Sequence, residues 1–302
     1  MLNNNCRTER RAGFSLVELM VAVVVMGVVT SQLLLAFSHQ HTTALDHERR
    51  IEIQQEARLI GDVILSDLRI SGFMVPSFAS IASIDGGVNG SDILCASDST
   101  VIDDSVLVAA NRKFTGATIT TPFTGASSSV TVSAATMDID SDGDDDFTVN
   151  EGLLIGTGLD AHCAVITRIS GSTIEFTPST NAGFAAAVND VVVPALVYQV
   201  NGTTITRNST VLSNHIEDLQ VQFGVDIDNN GTVEGAEFPI DDLTGEDFTL
   251  IENVRISLTA RDLRGDPGFN GQFASVANRV AGAADNFKRR RNTGDTVLRN
   301  LQ

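Results

Sequence analysis

The sequence predicts an α+β protein, in which one long N-terminal helix is followed by a mainly antiparallel β head. Two changes of pattern along the 302 residues support this prediction. An apolar run passes into a stretch of helical periodicity, and after Pro76 the composition shifts to Gly, Ser, Thr, Asp and alternating β-branched residues. These changes delimit an apolar helix at 14–37, an amphipathic half at 38–75 and a β-rich globular head at 76–302.

The apolar part of the helix is long enough to cross a membrane. It runs from Phe14 to Phe37, and Glu18 is the only charged residue among its 24 positions. A helix of this length spans roughly 36 Å, whereas the hydrocarbon core of a bilayer is about 30 Å thick. Arginines precede the run at positions 7, 10 and 11, so the positive-inside rule predicts a cytoplasmic N-terminus and an exported head.

Two simple interpretations of this run are a cleaved secretory signal and a plain signal anchor. A secretory signal has a shorter apolar core and a small-residue cleavage site, and no such site follows Phe37. A plain anchor does not explain Glu18, a carboxylate near the membrane edge of an otherwise apolar helix; such a charge costs about 2.5–3.5 kcal/mol at the bilayer midplane and less near the interface. We therefore expect Glu18 to have a partner of opposite charge.

The helical pattern continues beyond the apolar run. Apolar side chains recur at spacings of three and four, with charged residues between them: Ile53, Ala57, Ile60, Ile64 and Leu68. Such a stripe is typical of a helix that packs on a globular head. Gly72 and Pro76 end the pattern, which predicts a single helix over about residues 14–71.

The strands of the head are predicted from alternating apolar and polar residues. The clearest candidates lie at 219–225 and 254–260, and shorter ones lie at 130–134 and 174–176. Glycine and asparagine clusters between them supply turns. A loop-rich insertion is expected at about 77–150.

Composition restricts the classes of function. The chain has 38 Asp and Glu against 20 Lys and Arg, a formal net charge of −18 that repels phosphate, so no nucleic-acid partner is expected. The basic run Lys288–Arg291 is instead expected to pair with an acidic neighbour. The sequence has no phosphate loop, zinc-protease motif, serine-hydrolase motif or redox C-x-x-C, and we predict that the protein is not an enzyme.

Residues 10–19 read Arg-Arg-Ala-Gly-Phe-Ser-Leu-Val-Glu-Leu. This segment resembles the class III leader of type IV prepilins and type II secretion pseudopilins. The resemblance implies that prepilin peptidase cuts between Gly13 and Phe14 and methylates the new N-terminal amine. Glu18 is then fifth in the mature chain, where its carboxylate would neutralise the cationic amine of a neighbouring subunit. Loss of leader residues 1–13, with three arginines and one glutamate, takes the net charge from −18 to −20.

Further landmarks resemble PilW-type minor pilins of the type IV pilus. They are Asp67–Phe73, Tyr198–Val200, Ile205–Arg207, Ile216–Asp226 and a C-terminal stretch from Phe287 to Asn300. One departure is Phe223, where the family pattern has Tyr. The resemblance implies a type IV pilin-like fold and a low-abundance subunit that primes pilus assembly.

The same resemblance implies the partners and the location. The expected partners are prepilin peptidase, other minor and major pilins, and an inner-membrane assembly platform. The protein is expected to cross the inner membrane once, with a periplasmic head, and to reach the pilus and the cell surface after assembly. A type II secretion minor pseudopilin, related to pseudopilin J, is the close alternative. A membrane-anchored calcium-binding adhesin or sensor is a further one.

Residues 226–237 fit the D-x-[DN]-x-[DN]-G-x₅-E calcium loop at every fixed position. The predicted Ca²⁺ ligands all offer oxygen: Asp226, Asp228, Asn230, the carbonyl of Thr232, Glu234 and Glu237. Gly231 permits the sharp turn that the loop needs. The flanking residues have a strand pattern, which predicts an EF-like loop outside an EF-hand. The alternative is an Asx-rich hairpin with an Asn-Gly turn.

A second acidic run begins in the same way. Its candidate ligands are Asp138, Asp140, Asp142, Asp144 and Asp146. The twelfth position of this run is Val149 instead of Glu, so it is interpreted either as a weaker metal site or as a solvated acidic turn.

Cysteine usage predicts a disulfide. Cys6 leaves with the leader, and Cys95 and Cys163 remain as an even pair in an oxidising compartment. Two buried free thiols are the alternative. His162 is adjacent to Cys163, but neighbouring strand residues point to opposite faces, so we do not expect a catalytic pair.

Overall fold

The structure is a computed structural model that describes residues 15–73, 75–98, 101, 117–124, 126–133, 145–157, 160–177, 184–243 and 246–298. The chain divides into two compact units, Met1–Ile51 and Glu52–Gln302. Helix α1 (Leu16–Ile70) contributes residues to both.

Both ends of α1 follow from local sequence. Ser15 caps the start, since its carbonyl accepts the N–H of Leu19 at 3.2 Å and its hydroxyl accepts that of Val17 at 3.4 Å. After the last turn, Gly72 has a φ of 79°, a left-handed conformation that ends helices and favours glycine. The long helix predicted over 14–71 is confirmed, with bounds of 16 and 70 in the structure.

Seventeen strands are found in the described part of the second unit. They are β1 (Ile81–Ile84), β2 (Ile93–Ser97), β3 (Ala117–Thr118), β4 (Phe123–Thr124), β5 (Ser129–Thr131), β6 (Gly152–Gly156), β7 (Ala161–Ser170), β8 (Thr173–Phe176), β9 (Ala185–Ala186), β10 (Val191–Asn201), β11 (Thr204–Arg207), β12 (Thr210–Ser213), β13 (Ile216–Val225), β14 (Ile251–Arg261), β15 (Gly271–Gln272), β16 (Ala284–Asp285) and β17 (Arg289–Val297).

Ten of these strands form one antiparallel sheet. Its main order is β1-β2-β10-β6-β7-β8-β5, while β3 and β11 also pair with β10, and β12 pairs with β11. β10 is an interior strand between β2 and β6, and all of its residues from 192 to 198 are buried. Such a continuous apolar run is typical of a strand that is covered on both faces.

A second sheet has three antiparallel strands in the order β13-β14-β17. The strands predicted at 219–225 and 254–260 lie within β13 and β14, and the candidate at 174–176 lies in β8. Of the candidate at 130–134, the structure assigns β5 through residue 131, and Ala134 lies outside the described residues. The predicted α+β architecture is confirmed.

Two apolar cores stabilise the head. The larger core joins the second half of α1 to β1, β2, β10, β13 and β14. The helix contributes one buried face: Ile53, Ala57, Ile60, Gly61, Ile64, Leu65 and Leu68. The smaller core lies among residues 117–192, where phenylalanines and aliphatic side chains of β4, β5, β6, β7 and β8 pack together.

The second half of α1 lies along edge strand β17. The Asn292 amide donates to the Ala57 carbonyl at 3.4 Å, and the Arg69 Nε donates to Thr296 Oγ1 at 3.2 Å. Between these contacts Leu65 covers Gly294, where an added Cβ would lie 2.6 Å from the leucine Cδ1. Helix and strand therefore run in the same direction, side by side.

Candidate functional site

The apolar half of α1 offers a surface that has no partner among the described residues of its own unit. Every large apolar side chain from Leu16 to Phe37 is 52–75% exposed. An 18-residue window of this helix meets the length and composition needed to cross a membrane, and none of it is buried. Exposure on this scale favours a lipid or helix-packed environment over water.

Glu18 lies in the first turn of this helix. The Ser15 N–H donates to its Oε2 at 3.3 Å. This position favours a carboxylate, because the first N–H groups of a helix form the positive end of its dipole. The predicted cleavage and methylation residues, Gly13 and Phe14, lie outside the described residues.

The acidic loop begins directly after β13 with Asp226, which is 2% exposed. Its two carboxylate oxygens accept backbone N–H groups, from Asn230 at 3.0 Å and from Gly231 at 2.7 Å. Gly231 has a φ of 82°, so glycine is the residue that fits this turn without strain. The loop chain thus wraps around the Asp226 carboxylate.

Glu237 closes the loop from the other end. It is 8% exposed and terminates a 3₁₀ turn, Gly235–Glu237. Its Oε1 accepts the N–H of Asp228 at 3.2 Å, and its Oε2 accepts the N–H of Glu234 at 3.0 Å. The side chain therefore ties the second half of the loop to the first.

Three carboxylates of the loop converge. One oxygen each of Asp226, Asp228 and Glu237 lies within 4.8 Å of the other two. Carboxylates this close repel one another when no cation lies between them. Oxygens on opposite sides of one Ca²⁺ are about 5 Å apart, since each lies about 2.3–2.6 Å from the ion. The spacing and the all-oxygen chemistry of this group fit Ca²⁺.

The other predicted ligands are placed differently. The Asn230 Oδ1 accepts both the N–H and the hydroxyl of Thr232, at 2.8 and 2.6 Å. Glu234 is exposed and does not belong to the converging carboxylate group. The carboxylates at the first, third and last positions of the motif are brought together, and the Asn230 Nδ2 donates to the Asp228 carboxylate at 3.0 Å.

The loop is not a two-residue Asn-Gly hairpin. A type I′ turn requires positive φ at both central residues. The left-handed residues here are Asn229, with a φ of 54°, and Gly231, so Asn230 does not adopt the required conformation. The next long strand, β14, begins only at Ile251.

The structure describes only the end of the second acidic run. Asp138, Asp140, Asp142 and Asp144 lie outside the described residues. Asp146 is 2% exposed and belongs to the fold of the head.

Cys95 and Cys163 are joined in a disulfide. Their strands, β2 and β7, are separated in the sheet order by β10 and β6, and yet the two Cα atoms are 6.4 Å apart. Three steps across a flat sheet would cover about 14 Å. The large sheet is therefore strongly curled, and the disulfide joins the two sides of the curl.

His162 lies on the other face of β7 from the disulfide. It is fully buried and packs against the rings of Phe123, Phe176 and Phe184, with centroid distances of 5.2–6.1 Å. Burial lowers the pKa of His162 to about 4, so the imidazole is neutral at physiological pH. The expectation that His162 and Cys163 point to opposite faces agrees with this packing.

A polar clamp at the end of α1 was not identified from the sequence. The Tyr198 hydroxyl donates to the Asp67 carboxylate, which also lies 3.0 Å from the Arg207 Nε. The three residues come from α1, β10 and β11. The available signal was an acidic residue between buried positions of an amphipathic helix, together with the only Tyr of the chain.

Two of the four residues of the basic run, Lys288 and Arg289, pair with carboxylates of the described chain. Lys288 lies 2.6 Å from an Asp266 carboxylate oxygen, and Arg289 binds both Glu217 and Asp285 at 2.5–3.1 Å. The hydrogen bonds from Arg289 lower the pKa of Asp285 to about 2.

Two family models match the sequence. The family described as Type IV Pilus-assembly protein W matches residues 180–300, a range that includes β9 to β17. The prokaryotic N-terminal methylation motif matches residues 9–31, which cover the cleavage segment and most of the apolar run. No curated protein matches the sequence significantly.

Proposed function

Because the chain is a PilW-type type IV pilin, we propose that it is a minor pilin that takes part in the assembly and priming of type IV pili. As a pilin it is a structural, non-catalytic protein that interacts with other pilins. It is anchored to the membrane by its apolar N-terminal helix. The proposal adds to this family membership a specific role in pilus assembly.

One observation supports the proposal above the others. The match to the methylation motif includes most of the exposed apolar half of α1, and one face of the second half of the same helix is buried in the head. A filament subunit needs both parts, since one must leave the bilayer for a helical bundle and the other must hold a folded domain.

We further propose that prepilin peptidase cuts between Gly13 and Phe14 and methylates Phe14, leaving the head in the periplasm. Glu18 then pairs with the N-terminal amine of an adjoining subunit. The position of the carboxylate supports this role, because among the described residues Ser15 supplies its only hydrogen bond, a long one of 3.3 Å. Other minor and major pilins and an inner-membrane assembly platform are the proposed partners.

Intact-mass analysis of the protein purified from membranes tests the processing step. The expected mass is that of residues 14–302 plus one methyl group. A chain that still begins with Met1 would contradict the proposed processing.

A complementation assay tests the role of Glu18. In a strain that lacks this chain, Glu18→Gln should be processed normally but should restore few pili, because the buried amine lacks a counter-charge. Glu52→Gln, an exposed change on the same helix, is the matched control and should restore wild-type piliation. Equal piliation by the two variants would contradict the pairing role.

The deletion strain also separates the alternatives. Loss of pili with normal protein secretion supports the pilus role, whereas loss of type II secretion with normal pili would identify a pseudopilin. Normal pili and normal secretion, with a loss of calcium-dependent surface binding, would identify an adhesin.

A second proposal concerns the acidic loop at 226–237, which we infer binds Ca²⁺ through Asp226, Asp228 and Glu237. The support is the convergence of these three carboxylates within 4.8 Å, two of them buried. A bound cation would offset their repulsion and hold the loop closed. This role is structural and leaves the proposed pilus function unchanged.

Calorimetric melting of the detergent-solubilised chain tests calcium binding. Addition of millimolar Ca²⁺ should raise the melting temperature of the wild type by several degrees, because a ligand that binds only the folded state stabilises it. Asp226→Asn should abolish the shift. Asp62→Asn makes the same change of charge at an exposed position and should retain it. The same shift in Asp226→Asn and in the wild type would rule out this loop as the site.

A further inference from the structure

Strand β17 has a free edge. Among the described residues it pairs only with β14. At the two ends of this pairing, the Leu298 N–H donates to the Glu252 carbonyl and the Asp262 N–H donates to the Lys288 carbonyl, and these bonds fix which residues of β17 face β14. In this register the even-numbered residues from 290 to 296 bond to β14. The N–H and C=O groups of the odd-numbered residues from 289 to 297 therefore point away from the sheet.

Two arginines on this edge have no carboxylate partner among the residues that the structure describes. Most arginines around the sheet are ion-paired, among them Arg255 with Asp295, and both Arg261 and Arg289 with Glu217. Arg290 and Arg291 are exposed, and no acidic group of the described chain lies within 4.0 Å of either guanidinium. The Arg291 Nη2 donates only to two backbone carbonyls, at 2.8 and 3.0 Å.

These two arginines are adjacent in a strand, so their side chains lie on opposite faces of the sheet. In a chain of net charge −18 they form a local positive site along an unpaired backbone edge. Charged residues on an edge keep unrelated strands away. A strand that binds here must supply two adjacent negative charges, one for each face.

The other end of the edge is a groove. It has a volume of about 320 Å³, and its walls include Val233 of the acidic loop, Phe238 and Val297. Val297 is 58% exposed, and the Arg255 guanidinium lies 4.4 Å from the Phe238 ring centroid. The groove thus offers an apolar contact about 20 Å from the arginine pair, since each strand residue advances about 3.3 Å.

We propose that the free edge of β17 binds an extended acidic segment of another pilin subunit, which adds to the sheet as a fourth strand. Two adjacent acidic residues of that segment pair with Arg290 and Arg291. An apolar residue about six positions away enters the groove beside Val297. Backbone hydrogen bonds to residues 291, 293 and 295 supply affinity, and the charges and the groove supply specificity. The inference rests on the proposed pilus function only for the identity of the partner.

A peptide-binding assay on the full chain in detergent tests the proposal. The probe is a fluorescent ten-residue peptide of alternating Thr and Val with an Asp-Glu pair near one end. It is made in two versions of opposite sequence order, so that the acidic pair lies near the N-terminus in one and near the C-terminus in the other. Arg290→Glu with Arg291→Glu should weaken binding at least tenfold, by charge reversal. Arg58→Glu with Arg264→Glu makes the same change of charge at exposed positions elsewhere and should leave the affinity unchanged.

A second pair of variants distinguishes strand addition from charge attraction alone. Thr293 is exposed, and its N–H points away from β14, so Thr293→Pro removes a donor that only an added strand would use. This variant should bind the peptide at least fivefold more weakly than Thr293→Ala. Hydrogen exchange of β17 should also slow at residues 291, 293 and 295 when the peptide is bound.

Three outcomes would overturn the inference. The first is the absence of peptide binding, and the second is equal binding of the peptide by the two Thr293 variants. The third is an oligonucleotide that binds as tightly as the peptide and whose binding is lost in the same arginine variants. None of these outcomes bears on whether the deletion strain makes pili, so the inference can fail while the proposed function stands.

Discussion

Asp92 shows how one buried side chain can make stability depend on pH. It is 3% exposed and accepts N–H groups from Gly86 at 3.0 Å and from Val221 at 2.8 Å, joining the loop before β2 to β13. The pKa of this carboxyl is raised to about 7, mainly by burial; the nearby Asp85 and Asp218 add to the rise, and the two N–H donors oppose it.

The sign of the pH effect follows from this shift. Between about pH 4 and 7 folded Asp92 keeps a proton that the unfolded chain has lost, so the free energy of unfolding falls as the pH rises. The contribution is up to about 4 kcal/mol across that window. Calorimetry at pH 4.5 and 7.5 should show a smaller difference in melting temperature for Asp92→Asn than for the wild type or Asp62→Asn. Parallel pH profiles for all three proteins would contradict this assignment.

Two glycines at close contacts should respond differently to the same substitution. A Cβ at Gly152 would lie 2.4 Å from the Ala195 carbonyl oxygen, which the β10 ladder holds in place. A Cβ at Gly61 would lie 2.7 Å from the Asn292 amide nitrogen, the mobile tip of a side chain. Gly152→Ala should therefore destabilise the head by about 2–3 kcal/mol.

Gly61→Ala is the matched control for this prediction. Alanine gains up to about 1 kcal/mol of helix propensity, which offsets the small displacement of Asn292. Its melting temperature should stay within about 3 °C of the wild type. Equal losses of melting temperature in the two variants would show that the Gly152 contact is not rigid.

At the scale of elements, the clamp of Tyr198, Asp67 and Arg207 joins the last turns of α1 to β10 and β11. Burial raises the pKa of Tyr198, so its hydroxyl keeps the proton that it donates to Asp67. Tyr198→Phe removes this donor and should destabilise the head by about 1.5–3 kcal/mol, the range for a hydrogen bond to a charged group.

A double-mutant cycle measures the coupling energy between the side chains of the clamp. Asp67→Asn keeps an acceptor for Tyr198 but removes the charge that faces Arg207, so its effect and that of Tyr198→Phe should not add. Melting of the two single variants and of the double variant gives the coupling energy. Additive losses would mean that the three side chains do not act as one unit.

The helix and the long strands could be predicted from the sequence because their signals are local. The stripe from Ile53 to Leu68 has the period of a helix, and alternation marks β13 and β14. The order of the strands could not be predicted, because β10 pairs with partners about 40 and 100 residues earlier in the chain, and residue alternation does not encode such distant pairings.

The candidate loop was predictable in part for the same reason. The spacing of Asp226, Asp228 and Glu237 is local, and the structure brings these carboxylates together. Glu234 has the right spacing but lies outside the group, since the orientation of a side chain depends on the turn that carries it. The clamp at Asp67 depends on contacts more than 100 residues apart and has no local signature.

At the scale of the whole head, the disulfide joins β2 and β7 across the curled sheet. Cys95 and Cys163 are 68 residues apart, and closing a loop of that length stabilises the folded state by about 4 kcal/mol. Cys95→Ala with Cys163→Ala should lower the melting temperature by about 8–15 °C. Cys6→Ala, in the leader, is the control and should melt as the wild type does, whereas an unchanged melting temperature in the double variant would contradict the role of the bridge.

The side-by-side course of α1 and β17 has a mechanical consequence. Three contacts, at Asn292, Gly294 and Thr296, are spread along the shared direction of helix and strand. A tensile load applied along the helix axis acts on all three at once, in shear, and they must break together. A load across the axis would peel them apart one by one. The joint is therefore strongest against traction along the helix axis.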